Sequence, residues 1–200
     1  MYDALIIGGG AAGLSCALVL GSAGQKDFTK DKITGIITHQ KASHLQSALF
    51  NNVLGLNPGT TGKSILENGK NQLAELYPRI EQIDNEKVTA VMSKNDYFII
   101  TTNKAIYQTK IAVIAVGYTN LFNIHGLESY IKPHPRAKAE KNRIWLENTD
   151  HLVRKGLYVA GTLAGWRSQF AIACGSGSHV ATDILTLWNN GEHTKVHDKL

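Results

Sequence analysis

Three consecutive glycines, Gly8-Gly9-Gly10, separate a short apolar run at 3–7 from a stretch of small and aliphatic residues at 11–22. An apolar run that stops abruptly on glycine reads as a strand buried on both faces, as in a parallel sheet. The stretch behind the glycines has no proline and reads as a helix packed close to that sheet, ended by Gly21 and Gly24. A polar loop at 26–32 and a second apolar run at 33–38 complete a strand–helix–strand unit. Such a unit opens a doubly wound sheet, because parallel neighbours need a crossover connection.

The rest of the chain fits that plan. Turn chemistry at 55–62 leads into a helix over 63–77, with Ile65, Leu66, Leu73 and Leu76 on one face and Pro78 closing it. Strands at 87–93 and 97–102, with a turn at Lys94-Asn95-Asp96, form a small β-meander. An apolar strand at 110–115 stops at Gly117, and residues 118–155 turn polar with two prolines near their middle. A last strand at 156–160 precedes Gly161 and a long helix at 169–189, and the polar tail after Gly191 frays. The fold class expected is α/β, a single domain with a central parallel sheet, helices on it and a β-meander.

Composition excludes several classes. No apolar run reaches the roughly 18 residues that span a bilayer, and the N-terminal residues lack the basic region of a signal peptide, so the expected location is cytoplasmic with no membrane partner. Cys16 and Cys174 are too far apart in sequence for a redox pair and read as small core residues. The net charge is +5, with basic residues gathered at Lys132, Arg136, Lys138, Lys141 and Arg143. No aromatic residue interleaves them and no nucleic-acid motif surrounds them, so that stretch reads as a solvated loop. The eight histidines show no ligand spacing, and no metal is expected.

The chemistry lies in Gly8-Gly9-Gly10-Ala11-Ala12-Gly13, a G-x-G-x-x-G match set between strand and helix. Gly8 makes the tight turn, Gly10 admits a pyrophosphate against the backbone, and Gly13 lets helix and strand approach closely. The helix N-terminus offers unpaired N–H groups and partial positive charge to phosphates. This fingerprint serves FAD and NAD alike. The second strand, however, ends in His39-Gln40-Lys41 with no carboxylate for a ribose hydroxyl, which weighs against an NAD dehydrogenase. Lys41 is of the type that would take a 2′-phosphate, but a solvent-facing lysine is the better-supported reading.

Four segments in order resemble the FAD-binding parts of thioredoxin reductases and related pyridine nucleotide-disulfide oxidoreductases. They are residues 2–20; Asn51-Asn52-Val53-Leu54-Gly55 with Thr61-Gly62; Ile111 to Gly117, where Val116 replaces the usual Thr; and residues 156–181, beginning Gly-Leu-Tyr-Val-Ala-Gly. The resemblance implies FAD as cofactor, with Gly8, Gly10, Ala11, Ala12 and Gly13 along its pyrophosphate and Gly117 also in the site. It places Gln46 and Asn52 near the ribityl chain or flavin ring, and Val88 near the adenine. Gly161 and Thr162 would approach the ribityl chain and pyrophosphate, while Gln169, Phe170 and Ala171 open a helix aimed at the flavin. Its dipole would stabilise negative charge on the reduced ring.

Three departures from the family pattern matter. Thr162 stands where the family has Asp, replacing a charge-assisted bond by a neutral one at a cost of roughly 1 kcal/mol. Residues 1–117 and 143–190 would form the FAD-binding domain, with 118–142 a short connection where the family has an NADPH-binding domain of on the order of a hundred residues. The redox dithiol is absent too, which excludes thioredoxin reduction on chemical grounds. The function expected is therefore a FAD-dependent oxidoreductase that takes electrons from a reduced nicotinamide, an electron-transfer protein or its own substrate. The alternatives are a non-catalytic flavin-binding module working with a partner, and, less well supported, a small NAD(P)-dependent reductase. A homodimer stays open. His39, His44 and His125 are candidates by residue type alone, and no catalytic residue is assigned. All of this requires the glycine turn and the start of the last helix to meet in one cleft.

Overall fold

Side chains of β1 (Tyr2–Ile7) go alternately to two cores, Ala4 and Ile6 to one and Leu5 and Ile7 to the other. A strand buried on both faces has no polar side, which explains the unbroken apolar run. The computed structural model describes residues 1–39, 43–119 and 121–197. In it α1 (Ala11–Ser22) and β2 (Thr34–Thr38) follow, then a short ribbon of β3 (Leu49–Phe50) and β4 (Thr60–Thr61), then α2 (Gly62–Leu76) and β5 (Ile80–Asp84). Next come β6 (Val88–Lys94), β7 (Tyr97–Thr102) and β8 (Ile106–Ile114), a hairpin of β9 (Ile131–Pro133) and β10 (Ile144–Leu146), then β11 (Leu152–Arg154), β12 (Leu157–Val159) and α3 (Phe170–Trp188).

Five strands run parallel in the order β12-β8-β1-β2-β5, and β11 pairs antiparallel with β12 at one edge. Residues of α1, α2 and α3 pack on one face of the sheet, and Val88, Val91, Phe98 and Ile100 of the meander cover the other. Ile7 and Val159 both pair with Ile114. The chain therefore leaves β1, β8 and β12 at one level along the carboxyl edge, where open α/β sheets place their ligands.

The structure extends and corrects the sequence reading at several points. β8 starts at Ile106, and one strand serves both layers: Ile106–Thr109 pair antiparallel with β7, while Ile111–Ile114 pair parallel with β1. β5 has no counterpart among the strands read from the sequence; only Ile80 and Ile83 of its five residues are buried, an edge strand without clear alternation. The polar stretch expected as a solvated loop is the connection of the β9–β10 hairpin, but it is tied down: Arg136 donates from it to the Gly165 carbonyl. Leu76 leaves the expected apolar face of α2 and is 58% exposed, since the helix ends there and the chain turns away. Cys16 is fully buried, but Cys174 is only half-buried, against Ser15 of α1. Among the described residues no helix is long and apolar enough to cross a membrane.

Candidate functional site

At the carboxyl edge of the sheet lies a cavity of about 500 Å³, within the range of ligand pockets. The glycine turn and the start of α3 both line it, along with loops after β2 and β8. The turn is shaped by close backbone contact. Gly8 has φ +116°, and a Cβ there would lie 2.4 Å from the Ala115 carbonyl oxygen. A Cβ on Gly13 would lie 1.8 Å from the Gly8 oxygen, so α1 sits tight against the turn. Gly10, by contrast, has nothing within 4 Å of its would-be Cβ.

Among the described residues, two of the three α-helices present bare N-termini to the cavity. At α1 the cap is Gly10, which has no side chain, and the first intrahelical bond runs from Leu14 N to Gly10 O. At α3 the Gln169 side chain makes no capping bond, and Ala173 N donates to Gln169 O. The first-turn N–H groups of both helices thus lack intrahelical acceptors and carry partial positive charge. α2, outside the cavity, is capped conventionally: Thr61 Oγ1 accepts from Ser64 N at 3.2 Å.

Of the residues singled out from the sequence, Gly8, Gly10, Ala11, Ala12, Val88, Gly117, Gly161, Thr162, Gln169 and Phe170 line the cavity. Gly13 lies beneath the turn, and Ala171 is exposed outside it. Gln46 instead faces a separate depression beside Lys63 and Glu67. Asn52 is exposed in the β3–β4 loop, and the cavity is reached from that ribbon by Phe50, whose ring lies 5.0 Å from that of Phe170. Tyr118 and Phe122 also line it, from the connection after Gly117. Their only sequence signal is that they follow a strand-ending glycine. His39 and His44 line the cavity, while His125 pairs with Glu128 elsewhere. Lys41 lies outside the described residues.

No carboxylate ends β2, but one arrives from its neighbour. Thr38 donates to Asp84 Oδ1 at 2.6 Å, and Lys70 holds Asp84 Oδ2 at 2.7 Å. Burial works against ionisation of Asp84, yet these two hydrogen bonds outweigh it and keep the carboxyl below its ordinary range.

The segment after β12 is held by side chains. Gly161 N donates to Ser176 Oγ at 2.7 Å, and His151 Nε2 lies 3.3 Å from that oxygen. Trp166 Nε1 donates to His151 Nδ1 at 3.4 Å, so the imidazole proton sits on Nε2. On the other flank, Arg136 N donates to His134 Nδ1 at 3.1 Å, leaving Nε2 to donate to the Thr162 carbonyl at 3.1 Å. Both histidines are neutral. Burial, helped by His179, pushes the His151 pKa down to about 4, and burial also lowers that of His134.

Comparison with known proteins agrees with this architecture. An oxidoreductase from Agrobacterium tumefaciens superposes with a TM-score of 0.72 at 15% identity, over 96% of this chain and 99% of that one. A thioredoxin reductase from Gloeobacter violaceus gives 0.72 at 16%, over 100% and 99%. These are likenesses of fold. In sequence the chain is 28% identical over 144 residues to the uncharacterized oxidoreductase CzcO of Bacillus velezensis, covering 67% of this chain and 41% of that protein. The chain thus spans about two fifths of the length of the curated relatives it matches. The model of one family, pyridine nucleotide-disulphide oxidoreductase, matches residues 2–166, and the chain belongs to that family of FAD-binding oxidoreductases.

Proposed function

We propose that the chain is a FAD-dependent oxidoreductase whose cofactor lies in the carboxyl-edge cavity and is reduced by an external donor, either a free reduced nicotinamide or an electron-transfer protein. One observation carries the reading: the uncapped N-termini of α1 and α3 open into the same cavity. A dinucleotide is the ligand that needs such a site, with phosphates at one helix end and a ring that gains negative charge at the other.

The residues present fit the group. The would-be Cβ atoms of Gly10 and Gly117 meet nothing within 4 Å, and both residues line the cavity, so backbone there is open to close approach. Gly8 to Ala12 would hold the pyrophosphate, His39 and Val88 the adenosine end, and Phe50, Tyr118 and Phe170 the ring. Bound flavin supplies hydride and single-electron chemistry; the chain orients it, excludes water from it and biases its charge. Thr162 in place of Asp weakens the hold by roughly 1 kcal/mol.

Residues 1–117 and 143–190 form the FAD-binding domain in this reading, and 118–142 stands in for a nicotinamide-binding domain. Support comes from Tyr118 and Phe122, which line the cavity, and from β9, whose hairpin partner β10 lies across that boundary. A flavin-binding module without turnover is the second reading. It is favoured because Glu86 is the only carboxylate among the described lining residues, and it is occupied by Thr102 Oγ1 and Tyr107 OH.

The test is an absorbance titration of the purified protein with FAD, followed by anaerobic addition of NADH, NADPH or a reduced protein donor. A yellow complex that bleaches on donor addition is expected. Failure to take up FAD defeats the proposal; uptake without bleaching by any donor selects the module.

A further inference from the structure

The Gly161–Ala164 turn, whose Gly161 and Thr162 line the cavity, is closed locally by a single backbone bond, from Gly165 N to the Thr162 carbonyl at 3.0 Å. Gly161 has φ +77° and Gly165 φ +89°, so left-handed glycines stand at both ends of it. Glycine adopts many other conformations at similar cost. Four backbone groups of the segment are nevertheless taken up by side chains from distant parts of the chain. Ser176 accepts from Gly161 N, and His134 donates to Thr162 O. Asn148 Nδ2 donates to Ala164 O at 3.3 Å, and Arg136 donates to Gly165 O.

We infer that His134 and His151 are positioning residues for the cofactor, two neutral latches that hold the Gly161–Ala164 turn in the shape it presents to the dinucleotide. The inference rests on the proposed FAD reading. His134 acts on the turn directly, through the carbonyl of Thr162, which lines the cavity. His151 acts through Ser176, whose oxygen receives both the Gly161 N–H and the His151 Nε2 proton. Its backbone N–H in turn donates to Asn148 Oδ1 at 3.0 Å, the residue that holds Ala164 O.

Imidazole suits both places because each latch needs an acceptor and a donor on one ring. Nδ1 receives Arg136 N–H or Trp166 Nε1–H while Nε2 donates toward the turn. His151 is also kept at φ +72°, beside Asp150 at φ +46°. Side chains with a Cβ rarely hold that conformation unless the surroundings impose it. His134 and His151 are 7% and 3% exposed, so water does not substitute for either latch.

Four variants test this: His134→Leu, His134→Gln, His151→Leu and His151→Gln. Glutamine keeps a donor near the Nε2 position, and leucine removes it. FAD dissociation constants are read by fluorescence titration, and amide hydrogen exchange is followed over residues 161–166. Each leucine variant is expected to bind FAD at least about tenfold more weakly, with faster exchange confined to 161–166 and the strands still protected. Each glutamine variant is expected to recover most of that loss. Leucine variants that bind like wild type, or glutamine variants no better than leucine, overturn the inference while FAD binding itself stands. Wild-type protein that takes up no FAD overturns both. Should the leucine variants not fold, wild type alone decides: FAD must slow exchange at 161–166, and unchanged exchange there rejects the latches.

Discussion

At residues 8–13 the cavity wall is shaped by backbone meeting backbone, whereas at 161–165 it is shaped by side chains reaching in from elsewhere. Gly13 and Gly8 touch because neither has a side chain, within six residues of sequence. Thr162, Ala164 and Gly165 are held from His134, Asn148 and Arg136. The first wall is rigid by sterics and fails all at once when a Cβ is added at Gly8 or Gly13. The second is an assembly of hydrogen bonds and should loosen by degrees. The two walls can therefore be told apart by how they break.

The largest effect is expected at Gly13→Ala. Its Cβ would stand 1.8 Å from the Gly8 oxygen, with only backbone to give way. A loss of about 4 kcal/mol or more is expected in urea unfolding, enough to prevent folding of a marginal domain. Gly10→Val sharpens the point from the same motif. Gly10 has φ −86° and open space beside it, so stability should change by less than about 1 kcal/mol, while FAD affinity drops because the side chain enters the cavity. A Gly13→Ala protein as stable as wild type would erase the distinction between the walls.

This contrast also explains what was legible in the sequence. The glycine turn, β1, α1 and β2 are contiguous, and their signals (a two-sided buried strand, a bare turn, a helix of small residues) arise from local sterics. α3 and β12 were legible for the same reason. The turn's latches were not: His134 lies in a Pro-His-Pro stretch and His151 in a polar lead-in, and neither shows spacing to Thr162 or Ser176. Only the hairpin of β9 and β10 carries His134 to the cavity wall, and that hairpin pairs residues across a long polar loop. β5 leaves no such signal because an edge strand buries too little to enforce alternation. Asn52 and Gln46 came from resemblance, and the structure puts Phe50 on the cavity in their region.

On the second wall the effects should be graded. Ser176→Ala strips an acceptor from the buried Gly161 N–H and from the His151 proton together. Leaving such groups unsatisfied is expected to cost about 3 kcal/mol, seen as an earlier chemical unfolding midpoint with unchanged slope. An unchanged midpoint would mean that water reaches the site and the latch is idle.

Acid should open the same wall next. The His151 pKa of about 4 lies below its ordinary 6.5, so the folded chain binds fewer protons there than the unfolded chain. Its contribution is full above pH 6.5 and is lost as the pH falls through 4, by about 3 kcal/mol. His134, lowered by burial, adds in the same direction, with Arg136 beside it. His179, 4.9 Å from the His151 ring, opposes protonation of His151, and Asp150 favours it. Asp183, raised by burial, works against the loss. The lowered carboxyls Asp3, Asp84 and Glu128 act only below about pH 4.5. Stability flat between pH 7 and 4.5, or equally sloped in His151→Gln, would remove His151 as the cause.

The smallest effect isolates the helix ends. α2 lies outside the cavity and is closed by Thr61, whereas α1 and α3 face it without a side-chain cap. If bare ends are kept for the ligand, removing the cap of α2 should touch stability alone. Thr61→Ala is expected to cost about 1 kcal/mol and to leave FAD affinity unchanged. Adding a cap should do the reverse. Gln169→Asp introduces an N-cap carboxylate at α3, which satisfies the first-turn N–H groups and opposes negative charge in the cavity. It should raise stability by up to about 1 kcal/mol and make the bound flavin harder to reduce, which a redox titration measures. Were Thr61→Ala to weaken FAD binding as much as Gln169→Asp alters its potential, the division between a capped scaffold helix and two ligand-facing helices would fail.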